Sequence, residues 1–513
     1  MKKLTAALMC GAMTMSLFAT AQAGETGSEQ KDAAQEAIDA RKEEAEKTGE
    51  YQKIIISFFD WTGAPAGIDR INEALSEHTR ETLGVDVELM IIDSAAYSED
   101  MKLMLSSGEQ VDIFSTCGPG YMTCVNNGYT LDFEEDDLFQ TYGEGIQEKV
   151  RTEYLDACRV GGVLYGAPPI KDYAIQTSAV CIGQEYLDAI GYDYDAAEKD
   201  DLGYAKVDWD EINKIFAQIH EAFPDKYVMA IQDNELTQGS TVDNIGGDYY
   251  GTLLDPVNSL KIENVYESDI FKEWCERAYE WNQNGYLSKD AMTDKTGASA
   301  KVKSGAYMAM MACCKPGYET QITGECGRSM KVFDVGESFM SSSSVSSFPW
   351  CINQNTDDPV AAMQVLDALY TDSVVENLIC WGQEGVEYTV NDEGTINYAE
   401  GVDANNSEYY PYVAHVWEGD SLDIGQQMSD FNDNCPNKSK ALGFTWDNSD
   451  YSAEFTALQN AYDQYGLMAV YGFEEPEKAI AELNEALKAA GLEEYMAAKQ
   501  EALDEWAAEN NIK

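Results

Sequence analysis

Apolar residues recur along this chain at two spacings, and the alternation between them sketches the architecture. The run Ile54-Ile55-Ile56-Ser57-Phe58-Phe59 is strand-like and ends in the polar-aromatic loop Asp60-Trp61-Thr62-Gly63-Ala64-Pro65. Helical spacing follows at Ile68, Ile71, Leu75 and Leu83, then a second strand at residues 85–92. A further helix ends at Leu103-Met104-Leu105, where Gly108 stops it, and Val111-Asp112-Ile113-Phe114 reads as a short buried strand. This β-α-β-α-β order argues an α/β domain with a largely parallel sheet. In such sheets ligands bind beyond the carboxyl ends of the strands. Asp60-Trp61 and the loop from Thr116 through Gly118 to Tyr121 should therefore share one edge, as binding loops or, alternatively, as plain connecting turns. Near the C-terminus Leu483, Leu487, Leu492, Tyr495 and Leu503 lie at helical spacing, with a break at Gly491. They predict two helices packed on the body of the protein.

Composition changes this picture in one respect. The chain has 513 residues, enough for two to four domains, and 44% apolar residues. Against 92 Asp and Glu stand only 34 Lys and Arg, a formal net charge of -58. A surface so acidic repels nucleic acid and anionic headgroups, so nucleic-acid binding is set aside.

The two ends of the first fifty residues differ from the rest. Met1-Lys2-Lys3, the apolar stretch from Leu4 to Thr20 and Ala21-Gln22-Ala23 have the layout of a secretory signal peptide over residues 1–23. An uncleaved anchor is the alternative, although Ala, Thr, Ser and Gly dilute the stretch. Residues 24–50 carry almost no large apolar side chain and form an acidic spacer, either disordered or a solvated helix. Twelve cysteines at irregular spacing, many between apolar neighbours, form no disulfide framework and no C-x-x-C pair. They read as small core residues of a protein from an anoxic habitat.

Signatures of catalysis are missing from the sequence. It has no GxSxG, no GxxxxGK[ST] and no HExxH, and its three histidines stand apart. The stretch from Asp430 imitates a calcium loop but has Cys435 and Ala441 where glycine and glutamate belong. No catalytic residue, metal or cofactor is expected, and the chain is not expected to be an enzyme. Aromatic residues are abundant instead, with 31 Tyr, 9 Trp and 16 Phe. Several stand beside acidic or turn residues: Asp60-Trp61, Asp172-Tyr173, Asp248-Tyr249-Tyr250, Trp350 and Trp381. An apolar ring face beside a polar group suits a sugar ring.

The order of several short segments resembles the extracellular solute-binding proteins of ABC importers, of the oligosaccharide-binding family 1 type. The segments are LMLSSGEQVDIF, NNGYTLDFEEDDLF, GGVLYGAPP, KVKSGAYMAMMA and DDPVAAMQVLDALYTDSVVENLICWGQEGVEYTV. Beyond residue 430 the chain is similar to a subgroup with a C-terminal domain of unknown function. The resemblance implies a type II periplasmic-binding-protein-like α/β fold: two lobes, each a mainly parallel sheet flanked by helices, with ligand in a cleft closed by hinge motion. It implies crossovers at Leu164–Ile175 and Ala306–Cys314. Lobe 1 would hold residues 51–172 and 312–372, lobe 2 residues 173–311 and 373–455, and residues 456–513 would be a C-terminal helical segment. No lipobox cysteine stands at Ala23-Gly24, which leaves a periplasmic, released or partner-held location open.

The resemblance thus implies a monomeric receptor that captures a small solute, foremost an oligosaccharide, and delivers it to membrane permease subunits. Asp60, Trp61, Gly118, Tyr121, Asp172, Tyr173, Tyr249, Trp350 and Trp381 are its candidate ligand-binding residues. The tryptophans could equally be core. An exported glycoside hydrolase or lyase, or a surface adhesion protein, is the alternative, and a peptide or lipid remains open as ligand.

Overall fold

In the computed structural model, the structure describes residues 30–60, 67–175, 179–231, 241–294, 296–312, 314–347, 349–399 and 415–512. They fall into two compact units, one up to Ile170 with Ser347–His415, the other Lys171–Ser346 with Val416–Lys513. The signal-like stretch and Trp61 lie outside the described residues.

The first unit opens with helix α1 at 30–48, so the described part of the spacer is helical. The helix is docked rather than merely solvated. Arg41 donates to the Leu83 carbonyl from Nε and Nη2, at 3.2 and 3.1 Å, and to Gln364 Oε1, while Gln364 Nε2 donates to the Ala34 carbonyl. Strand β1 (Gln52–Asp60), helix α2 (Ile68–Thr82), strand β2 (Val85–Asp93), helix α3 (Ser94–Ser107) and strand β3 (Ile113–Ser115) then follow the expected alternation. Ile71 and Leu75 bury one face of α2, and Gly84 and Gly108, at φ +71° and +74°, turn the chain after α2 and α3. β1 runs parallel to both β2 and β3. Asp112, 2% exposed, accepts from the Ile55 amide at 2.8 Å and from Thr356 Oγ1 at 2.7 Å, which ties β1 to a segment about 300 positions away. A short helix, α4 (Tyr121–Asn126), follows the loop after β3.

The second unit is built on a five-stranded sheet. Its strands are β4 (Ala179–Gly183), β5 (Ala205–Lys206), β6 (Tyr227–Ala230), β7 (Tyr307–Ala312) and β8 (Met330–Asp334), in the order β5-β8-β4-β7-β6. Two of the four pairings are parallel and two antiparallel, both antiparallel ones made by the central β4. Helices α5 (Trp209–Ala222), α6 (Asp269–Gln283) and α7 (Tyr318–Cys326) flank it. Asp208 and Ser268 cap α5 and α6 by accepting from Glu211 and Phe271 amides.

The chain returns to the first unit with β9 (Trp350–Ile352), antiparallel to β3, followed by α8 (Pro359–Thr371) and α9 (Ser373–Cys380). It then contributes α10 (Ile424–Asp433), α11 (Pro476–Ala489) and α12 (Leu492–Glu509) to the second unit. Gly491, at φ +97°, makes the break between α11 and α12. Leu483, Leu487, Leu492 and Tyr495 enter the second unit's core beside Phe271, Trp274 and Trp281, and Leu503 joins a smaller neighbouring cluster. Burial of side chains this large contributes about 1.5–3 kcal/mol each. The C-terminal segment is therefore part of that unit, not an appendage.

The unit boundaries differ from those the sequence suggested. The second and third crossings fall at 346/347 and 415/416, not 311/312 and 372/373. Ala306–Cys314, expected as a crossover, contains β7, which is hydrogen-bonded on both sides to β4 and β6. Its apolar run fits a buried central strand equally well. Helix α9 and the residues after it stay with the first unit because His78 Nε2 meets Asp372 Oδ2 at 2.7 Å and Arg70 pairs with Glu387 at 2.6 Å.

Among the described residues every cysteine but Cys117 is buried. Burial pushes the Cys124 thiol up to about 12.

Candidate functional site

In the first unit, parallel pairing places the carboxyl ends of β1 and β3 on one edge of the sheet. The β3 end continues into a loop that two glycines shape. Gly118 and Gly120 have φ +91° and +87°, values that disfavour any residue with a Cβ. Thr116, fully buried, secures the loop by donating its amide and Oγ1 to the Pro349 carbonyl at 3.2 and 3.1 Å. Ser98 Oγ donates to the Gly118 carbonyl at 3.0 Å. The loop is thus held from both sides.

Two residues expected to offer stacking faces are buried beneath this edge. Tyr121 is 4% exposed and its hydroxyl donates to the Cys158 carbonyl. Trp350 is 3% exposed and stacks on Phe58, with ring centroids 5.5 Å apart. Both are core aromatics because β9 pairs with β3 and α4 turns inward. Trp381, at the end of α9, stays half-buried and donates Nε1 to the His415 carbonyl at 3.2 Å. Asp60 ends β1 opposite Asp93.

The loop after α9 is clamped to the start of α2. Arg70 donates to Gln383 Oε1 at 2.8 Å and to both Glu387 oxygens at 3.0 and 2.6 Å, and Glu387 also accepts from the Gln383 amide at 2.8 Å. Burial alone would raise the Glu387 carboxyl, but Arg70 holds it below its ordinary range. This clamp fixes the start of α2, on the C-terminal side of residues 61–66. Neither Arg70 nor Glu387 was singled out from the sequence, since each looks like an ordinary surface charge there.

In the second unit, Asp172 is 3% exposed and lies between two lysines. Lys315 Nζ approaches Oδ2 at 2.9 Å and Lys171 Nζ approaches Oδ1 at 3.4 Å. Burial works to raise the carboxyl, and the two positive charges outweigh it and hold it low. Asp172 Oδ1 has the Lys171 ammonium as its ion-pair partner, at a long 3.4 Å, and no short hydrogen bond among the described residues. Asn432 braces this segment by donating Nδ2 to the Lys171 carbonyl at 2.7 Å and accepting the Ala174 amide at 3.0 Å. Tyr173 is buried at 1% exposure. Tyr249 is half-buried and packs against the core, on a separate loop. Lys171, Lys315 and Asn432 escaped the sequence reading. The available signal was two lysines inside otherwise apolar segments of a chain poor in basic residues.

With this geometry in view, known proteins supply a frame. The profile of a domain of unknown function, DUF3502, matches residues 440–508. A carbohydrate ABC transporter substrate-binding protein from Streptococcus pneumoniae is 21% identical over 466 residues, 88% of this chain and 91% of that protein. The crystal structure of the N-glycan transport solute binding protein NgtS from the same species superposes with a TM-score of 0.78 at 19% identity, covering 88% of this chain and 98% of that one. This is the solute-binding-protein fold. NgtS in complex with Man5GlcNAc superposes with a TM-score of 0.68 at 19% identity, over 89% of this chain and 99% of that one. The expected architecture and the expected C-terminal domain of unknown function are both present, and the solute-binding fold here carries its candidate groups on both units.

Proposed function

We propose that this chain is the substrate-binding receptor of an ABC importer and that its solute is an oligosaccharide. What supports the reading most is similarity along nearly the whole chain to a named carbohydrate substrate-binding protein, not to an enzyme. The chemistry of the two units agrees with it. Asp172 offers a buried oxygen that a sugar hydroxyl can satisfy, and the glycine-shaped loop at Gly118 exposes backbone to close approach. Asp60, Trp61, Tyr249 and Trp381 complete the proposed set, with the buried Tyr121, Tyr173 and Trp350 supporting it from beneath. The receptor acts as an exported monomer, hands the solute to membrane permease subunits and needs no metal or cofactor.

A thermal-shift screen of the purified protein against mono- and oligosaccharides, with peptides alongside, tests this. A ligand that binds only the folded state at a hundred times its Kd adds about 2.7 kcal/mol of stability. A shift with one glycan class, the glycan being recovered unchanged, is the expected result. Turnover of the glycan would replace the receptor with an exported carbohydrate-active enzyme, and a peptide-only shift would replace the solute.

A further inference from the structure

The domain of unknown function reaches into the second unit at one buried ion pair. Lys499, on α12, is fully buried and its Nζ donates to Asp248 Oδ1 at 2.8 Å and to the Gly251 carbonyl at 3.2 Å. The same carboxylate accepts from Tyr495 Oη at 2.9 Å and from the Tyr250 amide at 2.8 Å. Asn448 in turn donates to Tyr495 Oη at 3.0 Å. The Trp446 ring centroid lies 5.1 Å from the ammonium. A buried charge is tolerated only when paired and hydrogen-bonded, and this one is both.

What the pair holds is a closed loop. Asp243 and Leu253 exchange both backbone hydrogen bonds, at 3.0 and 2.9 Å, and so staple its ends. Asp243 also accepts the amide and hydroxyl of Ser342, each at 2.8 Å. Gly251 has φ +106°, and a Cβ there would come within 2.9 Å of Ile262 Cγ2 and 3.0 Å of Met496 Cγ. Within the loop both neighbours of Tyr249 are pinned, Asp248 by its side chain and Tyr250 by its amide. Two residues of one α12 face, Tyr495 and Lys499, four positions apart, supply the side chains that pin Asp248, whose carboxylate in turn holds the Tyr250 amide.

We infer that Lys499 is a positioning residue, and that the C-terminal segment of unknown function serves to set the loop carrying Tyr249 from behind. The inference rests on the receptor reading for the statement that Tyr249 faces the solute. It gives this buried lysine a role beyond filling space, since removing it would leave the Asp248 carboxylate buried without its cation. An apolar residue would fill the space, but it would leave Asp248 free to turn and the loop free to follow.

Hydrogen exchange of the full chain decides the positioning without any ligand. In Lys499→Met the amides of Tyr250 and Leu253 should exchange at least tenfold faster, while those of Cys181, Met310 and Val332 in the sheet keep their protection. Unchanged loop amides, or equal loosening of loop and sheet, would overturn the inference. Tyr495→Phe, which removes the hydroxyl's bonds to Asp248 and Asn448 and leaves the ion pair, gives the same comparison should Lys499→Met not fold. The second arm uses Man5GlcNAc as the probe. Where the wild type binds it, Lys499→Met should weaken binding about tenfold, and adding it to Tyr249→Ala should cost little more than Tyr249→Ala alone. Additive losses would sink the link to Tyr249. If the wild type ignores Man5GlcNAc, the choice of glycan falls and the exchange result still decides the positioning.

Discussion

At the scale of single residues, two carboxylates have opposite environments and should respond oppositely to change. Asp172 is stabilised as an anion by Lys315 and Lys171. Its contribution to stability is present above the unfolded carboxylate range and is lost as pH falls through its lowered folded value. Removing one partner of a buried pair costs about 3–5 kcal/mol. With Lys171 still nearby, Lys315→Met should cost about 2–4 kcal/mol by denaturant melts, and adding Asp172→Asn should recover part of it. Asp367, on α8, is the reverse case: burial first, then Glu144 and Glu148, raises its carboxyl to about 6 although it accepts the Ile146 amide at 2.8 Å. The folded state then binds the proton more readily than the unfolded chain does. Its stability cost grows as pH rises from about 4 to 6 and is complete above that. Asp367→Asn keeps the acceptor and loses the charge. It should stabilise the protein by about 1–2 kcal/mol at pH 7.5 and by little at pH 4.5, as read from melts at the two pH values.

At the scale of elements, α1 shows how a segment without apolar bulk is ordered by a few polar contacts. Arg41→Ala removes two bonds to the Leu83 carbonyl and one to Gln364. It should cost about 1–2 kcal/mol of local stability and make residues 30–48 the first site of limited proteolysis, with the rest of the chain intact. Elements with a clear period were legible in the sequence. Ile54–Phe59, the Ile68-Ile71-Leu75 stripe, residues 85–92 and the Gly491 break all appear where expected. Local spacing could not fix what depends on distant partners. Tyr121 is core because a carbonyl at Cys158 takes its hydroxyl, and Trp350 because Phe58 lies under it. Nor could an apolar run such as Ala306–Cys314 declare whether it crosses between units or sits inside one sheet, since both fates demand burial.

At the scale of the whole molecule, charge and chain order dominate. A net charge of -58 opposes compaction. Raising ionic strength from about 20 mM to about 0.5 M shortens the Debye length several-fold and should raise Tm, as differential scanning calorimetry can follow. Ending the chain at Ser439 would strip Leu458, Tyr462, Leu483, Leu487 and Tyr495 from the second unit's core. The shortened protein should show no cooperative melt, in contrast to what a detachable domain would give.

The three crossings between units carry a consequence for biogenesis. The sheet of the first unit is complete only once β9 has been synthesised, and the second unit only once α12 has. Neither can close early on the ribosome, since each needs strands or helices hundreds of residues downstream. Such long-range pairing folds slowly. The second unit in particular stays open until α12 has emerged, well after the last element of the first unit has been made.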